Sequence, residues 1–274
     1  MTTTAVYRPA GDKAHFYTRD GEPVWELPNK SKGGMRAVTL ADAKKLDLLP
    51  SVTTVIRGGR PTPYGVTNYR FEQWGQHLLT TPRFPEESDD SFLERANASF
   101  QDAMDAAPDM GTAIHRMIAQ RLREEEVTGS PEEWIMFRKV QAWIELNVET
   151  ALLVEQPRST PIRGGFACTV DALLRMKSGQ VWLADWKTQA VKSKPKVYDE
   201  WVIQLAAEEM VAIPEISWNR AKAVCANIII PTTDYPEVTE AIWTEADLAW
   251  GWEAFRLALA TYRHNSRWPA KESE

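Results

Sequence analysis

Residues 171–187 read DALLRMKSGQVWLADWK, and they set two aspartates inside apolar runs separated by a short turn. Side chains alternate faces along a β-strand. In VWLADWK, Val181, Leu183, Asp185 and Lys187 therefore share one face, and Trp182, Ala184 and Trp186 share the other. The turn MKSG folds the preceding run back, so a hairpin sets Asp171 beside Asp185. A buried carboxylate is costly unless it is paired, hydrogen-bonded or bound to a metal. Two close carboxylates repel unless a cation lies between them, and oxygen ligands are what Mg²⁺ or Mn²⁺ prefers.

The surrounding chain predicts an ordinary globular protein. It has 274 residues, 43% hydrophobic and 26% charged, enough to bury a real core. Its longest apolar runs are far too short to span a bilayer and its first residues lack a signal-peptide core, so we expect a soluble, cytoplasmic protein with no membrane partner. Cys168 and Cys225 are the only cysteines, which excludes a disulfide framework and a four-cysteine zinc or iron–sulfur site. Net charge is −6, but residues 1–64 carry ten Lys/Arg against six Asp/Glu, a local +4, and the remainder carries −10. Nucleic-acid binding requires a basic groove, not a basic protein. P-loop, Gly-x-Ser-x-Gly, His-Glu-x-x-His and paired Cys-x-x-Cys motifs are missing, which removes the common NTPase, serine hydrolase and zinc protease classes.

Periodicity and cap signals place the elements. Residues 14–28 read as a hairpin around Asp20-Gly21, followed by a flexible basic loop over 29–36. Ser51 caps a helix that the pair Gly58-Gly59 stops. Residues 64–107 are mostly helical with a break over 81–90, and a separate helix covers 110–126 with Gly111, His115, Ile118 and Leu122 on one face. A further helix begins at Ser130-Pro131 with Glu133 closing a capping box. Three strands, a helix, two strands and a last helix capped by Thr244 and Asp247 complete the chain. The order α-β-β-β-α-β-β-α predicts an α/β fold, a mixed central sheet flanked by helices. No linker marks a boundary, so residues 1–274 read as one domain: an N-terminal hairpin and basic loop (1–49), a helical wall or arch (50–109), a core (110–240) and a C-terminal helix (241–274).

A chain of this length contains about one Asp-x-Lys by chance. Asp42-Ala43-Lys44 is such a copy, and it lies in a helix, where i and i+2 do not face each other. The copy at Asp185-Trp186-Lys187 lies in a strand with a partner acid. The set GTAIH, GFACTVD, LADWK and YDEWVIQLAA resembles, in order and context, the RecB-type branch of the PD-(D/E)XK nucleases, which includes phage and CRISPR-associated exonucleases. The resemblance implies a restriction-endonuclease-like core. It implies Mg²⁺ or Mn²⁺ held by His115, Asp171, Asp185 and the backbone carbonyl of Trp186. Asp171, Asp185, Lys187 and Gln204 would form the catalytic group, with Lys187 activating water and stabilising the charged transition state. The position where the family carries a tyrosine after this glutamine is Glu208, and the cysteines of an iron–sulfur cluster are missing.

By this resemblance the protein is expected to be a metal-dependent deoxyribonuclease, an exonuclease preferring single strands. The alternatives are an endonuclease of the same superfamily and a catalytically silent nucleic-acid-binding module. Its partners would be DNA and a recombination or CRISPR-type protein. Arg57, Arg60 and Arg70, with Lys192, Lys194 and Lys196 on the loop after the active strand, are the candidate phosphate contacts. Glu155, on the strand before Asp171, reads as a solvated strand residue rather than a further metal-site acid.

Overall fold

A computed structural model of the chain describes residues 16–29, 33–160, 164–212 and 223–268, with the side chains of 103–109 outside the description. Two short hairpins, β1 (Phe16–Tyr17) with β2 (Pro23–Val24) and β3 (Glu26–Pro28) with β4 (Met35–Ala37), open the described chain. Gly21, at φ 92°, makes the expected first turn. Helix α1 (Leu40–Lys45) follows, capped by Thr39, and Asp42 binds Arg36 and that cap rather than Lys44. Residues 14 and 15 of the expected hairpin, and Lys30 and Lys32 of the expected loop, lie outside the described residues. The loop is also shorter than expected, because Met35 and Arg36 pair with β3.

β5 (Leu49–Pro50) and α2 (Val52–Gly59) come next, with Ser51 Oγ accepting from Thr54 N as the sequence predicts. Helices α3 (Tyr64–Thr80) and α4 (Asp89–Leu122) then form a long antiparallel pair. The helix expected to begin at residue 110 begins instead at Asp89. Ser88 caps it, and Asp89 and Asp90 fill the first turn, where the helix dipole favours acids. The helical wall expected over 50–109 divides in two. Val52, Val55 and Ile56 of α2 are core residues, whereas α3 has no buried residue and packs on α4 as a projecting arm.

The centre is a five-stranded mixed sheet, flanked by helices, in the order β10 (Thr239–Ile242), β9 (Val224–Pro231), β8 (Val181–Gln189), β7 (Ala167–Met176), β6 (Val148–Ser159). The β8–β9 pair is parallel and the other pairs are antiparallel. On one face lie α4 and α5 (Pro131–Asn147), whose Ile114, Met117, Phe137 and Trp143 pack on Trp182, Ala184 and Trp186 of β8. On the other lie α2, α6 (Asp199–Ala212) and α7 (Glu245–Ser266), packed on Leu183 of β8 and Cys225 of β9. The alternation read from VWLADWK is the division between these two cores. Cys168 and Cys225 are both buried and free. Among the described residues, no helix is long and apolar enough to cross a membrane.

Helix α2 crosses α7 closely at two glycines. A Cβ built on Gly59 would lie 2.0 Å from Ala258 O, whereas one on Gly75, within α3, would meet nothing within 4 Å. Gly59→Ala is therefore expected to destabilise the protein by about 1–3 kcal/mol through overpacking. Gly75→Ala, at an open helical position, is expected to stabilise it by about 0.5–1 kcal/mol. Urea unfolding of the two variants checks both signs.

Candidate active site

β7 and β8 pair only from Arg175↔Val181 to Ala172↔Ala184. Beyond that point β7 continues with β6 to Ala167↔Ser159, and β8 continues with β9 to Gln189↔Pro231. The sheet forks, and Asp171 and Asp185 are the first residues on the two prongs. Both are buried, at 5% and 1% exposure.

On the β7 prong, Asp171 Oδ2 accepts the backbone N–H of Trp186 at 3.1 Å and lies 3.5 Å from His115 Nδ1 on α4. Trp186 thus donates its amide to this group. Glu155 stands opposite Asp171 on β6, between the pairs Val154↔Ala172 and Gln156↔Val170. Its φ is 48°, a left-handed conformation that costs a non-glycine residue about 1–2 kcal/mol. His115, Glu155 and Asp171 each bring a ligand atom within 4.8 Å of the others. One imidazole and two carboxylates make a mixed nitrogen and oxygen set that fits a divalent cation such as Mn²⁺ or Mg²⁺. Glu155 is therefore no isolated strand residue.

On the β8 prong, Asp185 is enclosed by donors. Lys187 Nζ lies 2.8 Å from Oδ1 and 2.7 Å from Oδ2. Gln204 Nε2, from α6, donates to Oδ1 at 2.8 Å, and Asn227 Nδ2, from β9, donates to Oδ2 at 2.6 Å. Each amide is itself oriented. Gln204 Oε1 accepts from Lys187 at 3.2 Å and its Nε2 also donates to Glu208 Oε1 at 2.8 Å. Asn227 Oδ1 accepts the indole N–H of Trp243 at 2.7 Å. The expected ligand Asp185 thus has both oxygens engaged by side chains, and the carboxylate within ligand reach of His115 and Asp171 is Glu155.

Electrostatics follow from this enclosure. Burial pushes the Asp185 carboxyl up, Lys187 opposes that and the Asp171 charge adds to it. Burial works against the Lys187 charge, but Asp185, Asp171 and Glu208 outweigh it and hold the ammonium above the ordinary lysine range. Glu208, 3% exposed, is driven well above the carboxylate range by burial and by the charges of Asp185 and Asp171. Both carboxyls are thus pushed up, Glu208 further than Asp185, whose rise Lys187 opposes.

The fold thus unites the expected His115 with Asp171, and Asp185 with Lys187 and Gln204. Lys192, Lys194 and Lys196 are exposed on the loop after β8, which Gln189 closes through hydrogen bonds to the backbone of Lys196. Arg57 is exposed on α2, Arg60 ends that helix half-buried, and Arg70 is exposed on α3. Asn227 and Trp243 were not singled out from the sequence, and Glu208 only as the position where the family carries a tyrosine. Asn227 carried a usable signal, an amide in the middle of the apolar run VCANIIIP, the same anomaly that marks the two aspartates. Comparison with known proteins finds no matching family model and no matching curated protein.

Glu208 gives a pH test. The unfolded chain loses this proton near the ordinary carboxyl pKa of about 4.3, and the folded chain loses it well above that value. Between the two, the folded state holds a proton that the unfolded state has lost, so this residue lowers stability as pH rises. Glu208→Gln removes the titration and keeps an acceptor for Gln204. Its stability relative to wild type should rise as pH increases above about 4, as measured by urea unfolding at each pH. A difference that stays flat would show that Glu208 titrates normally.

Proposed function

We propose that the protein is a metal-dependent DNA nuclease of the RecB-type PD-(D/E)XK class, with a restriction-endonuclease-like core, acting as an exonuclease that prefers single strands. One observation carries this reading. The forked sheet holds a possible ligand group, His115, Glu155 and Asp171, on one side and a lysine fixed between two carboxylate oxygens on the other. The chemistry of the donor set supports a cation, because one imidazole and two carboxylates, His115, Glu155 and Asp171, each bring a ligand atom within 4.8 Å of the others. A divalent ion held there would supply Lewis-acid polarisation of a phosphate oxygen.

The chain's own groups supply the rest of the reaction. Lys187, fixed by Asp185 and Gln204, places a positive charge where negative charge grows on the phosphorus oxygens. It also gives an attacking water a hydrogen-bond partner at a defined position. Asp185 does not need to leave its donors for this. It holds the ammonium in place and keeps it charged. The α3–α4 arm exposes Tyr64, Tyr69 and Phe71, whose rings offer stacking faces to unpaired bases and so favour a single strand over a duplex.

The test uses end-labelled linear single- and double-stranded DNA with Mg²⁺ or Mn²⁺, with and without EDTA, beside covalently closed single-stranded circles. We expect the linear single strand to be shortened progressively, EDTA to stop this, and circles to survive. Rapid cutting of circles would make the protein an endonuclease, and no cleavage of any substrate would overturn the nuclease reading. Asp171→Ala and Asp185→Asn should each abolish cleavage while leaving the protein folded. Glu155→Gln and Asp171→Ala should weaken Mn²⁺ binding in calorimetry. Lys187→Ala should bind the ion almost as wild type does while losing roughly 10²-fold or more in turnover.

A further inference from the structure

Asn227 is fully buried, at 0% exposure, yet its side chain is an amide with a donor end and an acceptor end. Buried polar ends are matched in folded proteins, and here both are. On one side Nδ2 donates to Asp185 Oδ2 at 2.6 Å. On the other, Oδ1 accepts the indole N–H of Trp243 at 2.7 Å. Two registers bring the three side chains into line. Asn227 is the partner of Asp185 across the parallel β8–β9 pair and of Ala241 across the antiparallel β9–β10 pair. Trp243 stands two residues beyond Ala241, half-buried against the core that contains Cys225, and its backbone N–H donates to Cys225 O at 3.0 Å.

An amide turned end for end keeps its shape, so its partners decide which end faces which way. An indole N–H donates and never accepts. Trp243 therefore keeps the Asn227 oxygen on its own side and leaves the NH₂ group facing Asp185. Turned over, Asn227 would set its oxygen against Asp185 Oδ2 and its NH₂ against the indole N–H, two mismatches at once. The fold by itself gains little from the pair, because replacing both partners of a buried hydrogen bond by apolar groups of the same shape is close to neutral. What such a replacement takes away is the amide donor on Asp185 Oδ2. That same oxygen lies 2.7 Å from Lys187 Nζ. Of the two charged residues Lys187 is the one that reaches outward, its side chain being 20% exposed against 1% for Asp185.

We propose that Asn227 and Trp243 are positioning residues for Lys187: the indole orients the amide, the amide fixes the Asp185 carboxyl, and the carboxyl holds the ammonium in one place. Gln204 Nε2 secures Oδ1 and Asn227 Nδ2 secures Oδ2, so the carboxyl has a donor at each end and does not rotate. The consequence for cleavage rests on the nuclease reading; the hold on Lys187 does not. Misplacing a reacting group by about 1 Å costs up to about 10²-fold in rate, so a residue just past the outermost strand β10 acts on turnover without touching substrate.

The test compares wild type with Asn227→Leu, Trp243→Phe and the two combined. Leucine keeps the bulk of the amide and phenylalanine keeps an aromatic ring, both without the polar groups. Glu240→Leu is the control, because Glu240 also accepts an indole N–H, from Trp143 at 2.8 Å, but pairs with Ile228 on the other face of the same two strands. Three quantities are read: the urea midpoint, kcat and KM on a linear single strand with Mn²⁺, and the ¹⁵N–¹H signal of the Lys187 ammonium, identified by its loss in Lys187→Ala. We expect kcat to fall roughly 10²-fold in Asn227→Leu and in the double variant, and about 10-fold in Trp243→Phe, with KM unchanged. The Lys187 signal should shift and broaden in all three. Asn227→Leu leaves the indole N–H without its acceptor, so adding Trp243→Phe should restore part of the lost stability while turnover stays low. Glu240→Leu should lose stability and keep the wild-type kcat and Lys187 signal. Variants that lose stability alone, with kcat and signal as in wild type, would make the pair structural and overturn the proposal. Slower turnover with an unmoved Lys187 signal would overturn the route through the lysine. If wild type cleaves nothing and the signal still moves as expected, the nuclease reading falls and the hold on Lys187 stands.

Discussion

A carboxyl group with 1% of its surface exposed sits in the middle of the central sheet, and much of the architecture around it follows from giving both its oxygens partners. Removing an ion from water costs several kcal/mol even after the protein relaxes, so geometry around it must be close to complete. Asp185 meets that requirement with donors from its own strand, from α6 and from β9. The requirement fixes more than one side chain. The parallel register must set Asn227 directly beside Asp185, and α6 must present Gln204 and Glu208 on the same side, one turn apart. Trp243 must then lie at the end of β10 to settle which way the Asn227 amide points. Three elements donate to one oxygen pair, and Trp243, at the end of a fourth, orients one of the donors.

The second constraint is the fork. An intact β7–β8 ladder would align the strands past the aspartates and leave no room between them. Ending the pairing at Ala172↔Ala184 separates the prongs, and each prong keeps its hydrogen bonds through its outer neighbour. Backbone groups are thereby satisfied while polar side chains gather between the prongs of a sheet whose surroundings are apolar. The left-handed Glu155 sits at this same level, so local backbone strain and the cluster of titratable groups coincide. Strained residues persist where the surrounding structure over-determines them, and here β6 is held by β7 on both sides of Glu155.

The helices divide by task. α4 and α5 cover one face of the sheet, and α4 delivers His115 from the edge of its apolar stripe. α2, α6 and α7 cover the other face, and their crossings are close enough that glycines are required at Gly59 and Gly251. α3, which has no buried residue, stands outside both layers and packs on α4. Its loop is made rigid by Arg95, which chelates Glu87, donates to the carbonyl of Pro82 and lies over the ring of Phe84. The arm, with its exposed aromatic rings, is not a part of the core.

The sequence by itself determined the elements and their faces. Caps at Ser51, Ser130 and Thr244 are local hydrogen bonds among residues three apart, and the two-residue period of VWLADWK divides the two cores, so both are written in short stretches of chain. Asp171, Asp185 and Lys187 were legible for the same reason: a charge in an apolar strand is a local anomaly. Long-range contact was not legible. Whether Glu155 faces solvent or His115 depends on the strand pairing opposite it, and whether α2 is wall or core depends on α7, some 200 residues away by number. Glu208 in LAAEEMV looks like any exposed helix acid until α6 is seated against β8 and burial raises its proton affinity. Tertiary structure decided these because desolvation and partner choice belong to the surroundings a residue is packed into, and the sequence states those only for its near neighbours.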